Sequence, residues 1–130
     1  MIKSVVEIVA NEKKAVPTIS PAGLMEVLGQ SNIVVVDVRD QPELPSTGVI
    51  PGAVHISRGM LEFRADPATP MHHKELARDK MIVLYCASGG RAALSGQVLM
   101  DMGYENVRNL GSIKDWIDAG GEIEAPDYEN

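Results

Sequence analysis

Two runs of apolar residues constrain the fold of this chain more than any other feature of its sequence. Ile33 to Val36, which leads into Asp37, and Met81 to Tyr85 are almost continuously apolar and rich in β-branched residues. Runs of this kind are typical of strands that are buried on both faces, as in a parallel sheet. We therefore expect two central parallel strands with helices packed on both sides of them.

Shorter strand signals and helical segments alternate with these runs along the chain. Further strands are predicted at Ala53 to Ile56 and Asn106 to Leu110, with a short strand or extended piece at Thr18-Ile19. Helices are predicted over residues 21–28, 41–47, 60–64, 74–79, 92–102 and 113–119. This alternation predicts an α/β domain of three layers, α/β/α, whose mainly parallel central sheet has about five strands.

An additional helix is predicted before this domain, over Ser4 to Ala15, and Pro17 ends it. Its apolar residues recur at helical spacing, namely Ile2, Val5, Val6 and Val9. We therefore divide the chain into an N-terminal amphipathic extension (1–17), the α/β domain (18–125) and a polar C-terminal tail (126–130). We expect the extension to pack on its own domain, with the pairing of two subunits in a homodimer as the alternative.

Charge and cysteine content argue against several classes of function. The 130 residues carry a net charge of −6, which argues against a nucleic-acid partner bound through a broad basic surface. No apolar run approaches the roughly 18 residues that a membrane span needs, so we expect no membrane partner. One cysteine cannot form an internal disulfide, and Met1 to Ile19 does not resemble a secretory signal. The simplest expectation is a cytoplasmic protein.

The single cysteine follows a predicted central strand and opens a loop of small residues. This cysteine loop, Cys86-Ala87-Ser88-Gly89-Gly90-Arg91, leads directly into a predicted helix. The two glycines permit positive φ angles and leave their backbone N–H groups accessible, so the loop can form an anion-binding site at the helix N-terminus. Arg91 adds a positive charge. These features favour a reactive thiolate, whereas the alternative is a small, buried structural cysteine.

Three further stretches carry recognisable motifs. They are Val35-Val36-Asp37-Val38-Arg39 with Glu43 shortly after, Gly48 to Ile56 (Gly-Val-Ile-Pro-Gly-Ala-Val-His-Ile), and Val107 to Trp116. Together with the cysteine loop, and in this order, they resemble the single-domain rhodanese family over Thr18 to Gly121. Two residues depart from the family pattern, because Val49 replaces a usual histidine and Ser112 a common second glycine. The resemblance implies a rhodanese-like fold.

The resemblance also implies a reaction, in which Cys86 attacks the outer sulfur of thiosulfate or of another persulfide and carries it as a persulfide. A thiol or cyanide then accepts the sulfur, and neither a metal nor an organic cofactor takes part. Ala87, Ser88, Gly89, Gly90 and Arg91 would surround the transferred sulfur. The implied partners are small sulfur donors, these acceptors and a sulfur-relay protein.

Two other functions compete with this one. The first is a binding module that relays persulfide sulfur or senses redox state with a protein partner. The second is a cysteine-dependent phosphatase or arsenate reductase, since cysteine-arginine loops also serve phosphoryl chemistry. Related phosphatases have one more residue in this loop, whereas Cys86 to Arg91 spans six residues. The shorter loop suits a single sulfur atom better than a tetrahedral phosphate.

Arg91 and Ser88 have both a functional and a structural interpretation. Arg91 either faces the ligand or braces the cysteine loop by pairing with Asp37 or Glu43, and we favour bracing. Ser88 either donates its hydroxyl to the persulfide or satisfies its own backbone.

Several residues outside the loop are also ambiguous. Three arginines either contact an anionic donor in the pocket or are solvated surface charges, namely Arg39, Arg58 and Arg64. Of these, Arg64 is favoured as a pocket residue, because it follows an apolar stretch that could form a wall of the pocket. His72-His73 is expected in an exposed loop, since adjacent histidines point in different directions and do not suit a shared metal. His55 is expected to be a packed strand residue, and Trp116 a core residue.

Overall fold

A computed structural model describes residues 3–127 of the chain. The helices are α1 (Val5–Ala15), α2 (Pro21–Val27), α3 (Leu44–Thr47), α4 (Leu61–Ala65), α5 (Gly90–Asp101) and α6 (Ile113–Asp118). The strands are β1 (Ile33–Asp37), β2 (Val54–His55), β3 (Met81–Cys86) and β4 (Asn106–Ser112). Two 3₁₀ turns, Gln41–Glu43 and Arg58–Met60, precede α3 and α4. Ile2 and residues 128–130 of the predicted tail lie outside the described range.

The four strands form one parallel sheet in the order β2-β1-β3-β4. β1 and β3 occupy its centre, with Ile33 paired to Met81 and Asp37 to Tyr85. Both predicted central strands are therefore confirmed. Their positions explain the continuous apolar runs, because alternate side chains of a central strand enter opposite cores.

Two hydrophobic cores cover the two faces of the sheet and complete the predicted three layers. On one face, Val36, Leu84 and Cys86 pack with residues of α4 and α5 such as Leu61 and Leu99. The other core contains Val35, Val83, Tyr85, Leu110, Leu24 of α2 and, from α6, Ile113 and Trp116. Cys86 therefore points to the face that α5 covers.

The sheet has four strands rather than about five. The missing strand is the Thr18-Ile19 segment, which forms only an isolated parallel bridge between Thr18 and Asn109. The segment cannot extend into a longer strand because α2 starts immediately after it. The Ser20 hydroxyl caps this helix by accepting a hydrogen bond from Gly23 N–H at 3.0 Å. β2 is likewise shorter than predicted.

The predicted helix over residues 74–79 is wrong, since this segment consists of turns. Short-range hydrogen bonds replace a helical ladder, including Leu76 N–H to the His73 carbonyl at 3.0 Å. The neighbouring histidines are partly buried rather than exposed, because His72 Nε2 lies 2.8 Å from the Leu76 carbonyl and His73 Nδ1 accepts from Glu75 N–H at 3.1 Å. Side chains that bond to nearby backbone in this way compete with helix formation.

α1 packs against α5 of its own domain. The Ser4 hydroxyl caps the start of α1, and Val16, directly after it, is 2% exposed within the core. A Cβ placed on Gly96 of α5 would lie only 2.6 Å from Val16 Cγ1. Gly96 thus allows Val16, at the end of α1, to approach α5 closely. Within residues 3–127, no helix is long and apolar enough to cross a bilayer.

Candidate active site around Cys86

Cys86 is the last residue of β3, at the carboxyl end of the sheet where ligand sites of parallel sheets lie. Its neighbour in β4 is Ser112. The residue has no exposed surface, and its Sγ accepts a hydrogen bond from Gly89 N–H at 2.9 Å. A backbone amide of the loop therefore points inward at the sulfur, as expected for a site that holds negative charge there.

The cysteine loop turns into α5 through Gly89, whose φ of +100° places it in the left-handed region. Only glycine adopts this conformation without strain. The first helical hydrogen bond runs from Ala93 N–H to the Gly89 carbonyl at 3.0 Å. The amides that precede it lie at the free N-terminal end of α5, where the helix dipole favours an anion. Ala87 and Ser88 lie at the exposed outer side of the loop.

Arg91 braces the cysteine loop from outside by a bidentate pair with Glu43. Its Nη1 and Nη2 donate to the two carboxylate oxygens at 2.7 and 2.8 Å, and the same carboxylate accepts from Asp40 N–H at 2.9 Å. The hydrogen bond from Arg91 lowers the pKa of Glu43 to about 2, and the pair in turn raises the pKa of Arg91. Of the two acids considered as partners, Glu43 and not Asp37 forms this contact.

Asp37 pairs instead with Arg39, two residues further along the chain, and both are buried. The guanidinium donates to the Asp37 carboxylate at 2.7 to 3.2 Å, to Thr47 Oγ1 at 2.7 Å and to the Gly48 carbonyl at 3.1 Å. Burial opposes the charge on Arg39, but the hydrogen bond and charge of Asp37 outweigh it and raise the pKa of Arg39. These contacts and its burial make Arg39 a structural residue.

Arg58 and Arg64 are not brought to the cysteine loop. Arg58 pairs with Glu62 at 2.9 Å on the surface. Arg64 lines a separate cavity of about 150 Å³ with His55 and Met60. The structure therefore supplies no contact that links either arginine to Cys86.

The remaining motif residues have structural contacts. His55 Nε2 lies 2.7 Å from the Arg39 carbonyl, and Trp116 is 1% exposed in the core. The two departures from the motif pattern are also accounted for. Val49 is buried and forms a bridge with Glu124, and the Ser112 hydroxyl caps α6 by accepting from Asp115 N–H at 3.0 Å.

A groove between α1 and the cysteine loop is the part of the site that the sequence did not predict. This α1 groove has a volume of about 510 Å³ and is lined by Val5, Val6, Val9, Ala10, Lys13, Ser88 and Gly90. The valines were recognised as one face of a helix, but their spacing does not show which surface of the domain that face adjoins. The sequence does not indicate a binding role for Lys13, since it is one of two adjacent lysines in a mixed-charge segment.

Comparisons of the sequence with known proteins identify a family and several relatives. The profile of the Rhodanese-like domain matches residues 20–119. A sulfurtransferase from Allochromatium vinosum is 32% identical over 97 residues, which are 74% of this chain and 82% of that protein. A thiosulfate:glutathione sulfurtransferase from Saccharomyces cerevisiae is 31% identical, over 70% of this chain and 69% of that protein.

Solved structures are similar over the same region and beyond it. A protein of unknown function from Rhodopseudomonas palustris, described as a possible tyrosine phosphatase, has a TM-score of 0.88 at 35% identity. The match covers 95% of this chain and 96% of that one. The human single-domain sulfurtransferase has a TM-score of 0.64 at 29% identity, covering 78% of this chain and 96% of that one.

Proposed function

The chain belongs to the Rhodanese-like domain family, and we propose from this that it transfers sulfane sulfur through a persulfide on Cys86. Sulfurtransferases among the relatives support sulfur transfer as the general activity. In this reaction Cys86 is the nucleophile. Thiosulfate or a persulfide supplies the sulfur, and cyanide or a thiol such as glutathione accepts it.

The hydrogen bond from Gly89 N–H to Cys86 Sγ is the observation that carries this proposal. An amide that donates to the sulfur, next to the N-terminal end of α5, stabilises a thiolate before the reaction and a terminal persulfide sulfur after it. A purely structural cysteine would gain little from such surroundings. The Arg91–Glu43 pair then holds the loop in the shape that keeps the donor in place.

The reaction consists of two substitutions at sulfur. In the first, the Cys86 thiolate attacks the outer sulfur of thiosulfate, a new S–S bond forms, and sulfite leaves with the electron pair of the broken bond. In the second, cyanide attacks the terminal persulfide sulfur, thiocyanate leaves, and the thiolate is restored. Charge is conserved in each step, and no metal, redox partner or organic cofactor is required.

Because Cys86 has no exposed surface, sulfur transfer also requires the cysteine loop to open toward the donor. The outer side of the loop, at Ala87 and Ser88, is exposed. Such local opening costs far less than global unfolding and is usual for ligand-binding loops.

A turnover assay tests the proposed function. We expect the protein to produce thiocyanate from thiosulfate and cyanide, and we expect Cys86→Ser to abolish it. The matched control is Ser31→Ala, an exposed change in the turn before β1, at the end of the sheet opposite Cys86, which should retain activity. Turnover of an aryl phosphate without thiocyanate production would instead favour the phosphatase alternative that the Rhodopseudomonas palustris protein raises.

A further inference from the structure

We propose that the α1 groove is the binding site for the sulfur donor and that Lys13 binds the donor's anionic group. The groove then selects donors that combine an anionic sulfur head with an apolar body, such as an organic thiosulfonate. This inference rests on the proposed function, since it assumes that Cys86 accepts sulfur from a donor at the cysteine loop.

The walls of the α1 groove are apolar on one side and polar on the other. Val5 and Val6 are 63% and 74% exposed, which is unusual for large aliphatic residues and leaves free apolar surface beside the loop. Val9 completes this wall, since a Cβ on Gly90 would lie 3.7 Å from Val9 Cγ2. The volume of about 510 Å³ lies within the roughly 300–1,000 Å³ of sites for small organic ligands. A small inorganic anion would fill only part of it.

The charge at the groove comes from α1 rather than from the cysteine loop. Residues 87–90 of the loop are uncharged, and the charge of Arg91 is paired with Glu43. Lys13 lies directly against the loop, because a Cβ placed on Gly89 would be 3.7 Å from its Cε and Nζ. Within the described residues, no acidic side chain forms an ion pair with Lys13. An unpaired ammonium group beside the loop matches the negative charge of a sulfur donor.

The same arrangement fits the chemistry of the transfer step. A thiosulfonate, R–SO₂–S⁻, would place its oxygens at Lys13 and R on the valines, which directs the outer sulfur to the cysteine loop. The Cys86 thiolate attacks this outer sulfur, and the bond to the sulfonyl sulfur breaks. The sulfinate R–SO₂⁻ leaves with the electron pair, and Cys86 retains the persulfide. Two anions enter and two result, so the charge balances.

Steady-state kinetics with benzenethiosulfonate and with thiosulfate tests this proposal. We expect Lys13→Met to raise the KM for both anionic donors by about threefold to fivefold, the effect of an exposed ion pair, with little change in kcat. Lys14→Met is the matched control, since Lys14 is adjacent on the same helix but does not line the groove, and its KM values should equal those of the wild type. The double variant Val5→Ser/Val6→Ser should raise the KM for benzenethiosulfonate several-fold more than the KM for thiosulfate.

Three results would overturn the proposal. The first is equal KM values in Lys13→Met and Lys14→Met, and the second is an unchanged ratio of the two donors' KM values in the valine variant. The third is a wild-type dimer, seen by sedimentation equilibrium, that the valine substitutions dissociate, because a second copy would then cover the apolar wall. If the wild type transfers sulfur from both donors and one of these results appears, the proposed donor site in the α1 groove is refuted but the proposed sulfur transfer is not. If it transfers sulfur from neither, the proposed function fails with it.

Discussion

At the scale of single residues, the conformation of Gly89 determines whether a backbone amide can reach the sulfur. The left-handed φ of +100° turns its N–H toward Cys86 Sγ while the chain enters α5. A side chain at this position is strained by its φ alone, and its Cβ would lie 3.5 Å from Gly111 Cα. The residue therefore links the backbone of the loop to the negative charge that we propose for Cys86 Sγ.

We predict that Gly89→Ala destabilises the fold by about 1–2 kcal/mol and also abolishes most sulfur transfer. Gly29→Ala is the matched control, because Gly29 has nearly the same φ, +94°, with no atom within 4 Å of an added Cβ. Urea unfolding should show similar losses of stability in both variants, whereas thiocyanate production should fall only in Gly89→Ala. Equal activity in the two variants would show that the Gly89 amide is not needed.

Glu43 gives a second prediction at this scale, through its ion pair with Arg91. The pKa of Glu43 in the folded state, about 2, is below its ordinary value of 4.5. The pair therefore stabilises the fold fully above pH 4.5, and this contribution is lost as the pH falls toward 2. Because both side chains are about one-third exposed, we expect Glu43→Gln to cost about 1 kcal/mol at most.

Urea unfolding of wild type and Glu43→Gln between pH 2 and pH 7 measures this contribution. The difference in the free energy of unfolding should be greatest at neutral pH and should shrink as the medium becomes acidic. The control is Glu75→Gln, which removes the partly exposed Lys80–Glu75 pair and should change the free energy of unfolding less than Glu43→Gln does at neutral pH. A difference that is constant with pH would contradict the assigned ion pair.

At the scale of elements, α1 is positioned by the contact between Val16 and Gly96. An added Cβ on Gly96 overlaps Val16 Cγ1 at 2.6 Å, so any larger residue must displace the end of α1. We predict that Gly96→Ala destabilises the protein by about 1–3 kcal/mol and raises the donor KM by moving the α1 groove. Val16→Ala should partly relieve the overlap.

The double variant Gly96→Ala/Val16→Ala tests this contact by a mutant cycle. Its loss in the free energy of unfolding should be smaller than the sum of the two single losses, because the smaller side chain makes room for the new methyl group. Additive losses would show that the two residues do not interact in this way.

The elements that the sequence predicted are those with strong local signals. The apolar runs that became β1 and β3 needed no knowledge of their neighbours, and the capping residue Ser20 marked the start of α2. The prediction for residues 74–79 is wrong because the helical tendency of this segment competes with hydrogen bonds between its backbone and the side chains of His72 and His73. The α1 groove could not be predicted either, since it depends on where α1 packs against α5.

At the scale of the whole molecule, the buried Asp37–Arg39 pair joins separate parts of the chain. Arg39 binds the end of β1, Thr47 and the Gly48 carbonyl, and its guanidinium lies 5.7 Å from the centre of the Tyr85 ring of β3. The sequence offers Asp37 as a possible partner of Arg91, and Arg39 as either a pocket residue or a surface charge, but only the fold shows that the two bind each other.

We predict that Arg39→Met destabilises the protein by about 3–5 kcal/mol, because it leaves the Asp37 charge buried without a partner. Arg58→Met removes an exposed pair and should cost less than about 1 kcal/mol. Urea unfolding of both variants provides the measurement. A small loss in Arg39→Met would show that Asp37 gains another partner or becomes solvated.

The central claim is that the cysteine loop holds negative charge on a sulfur atom bound to Cys86. Mass spectrometry of the protein after incubation with thiosulfate measures this most directly. We predict a mass gain of one sulfur atom on the peptide that contains Cys86, its removal by cyanide, and no gain in Cys86→Ser. An unmodified Cys86 peptide in the wild type, or the same gain in the serine variant, would contradict the account.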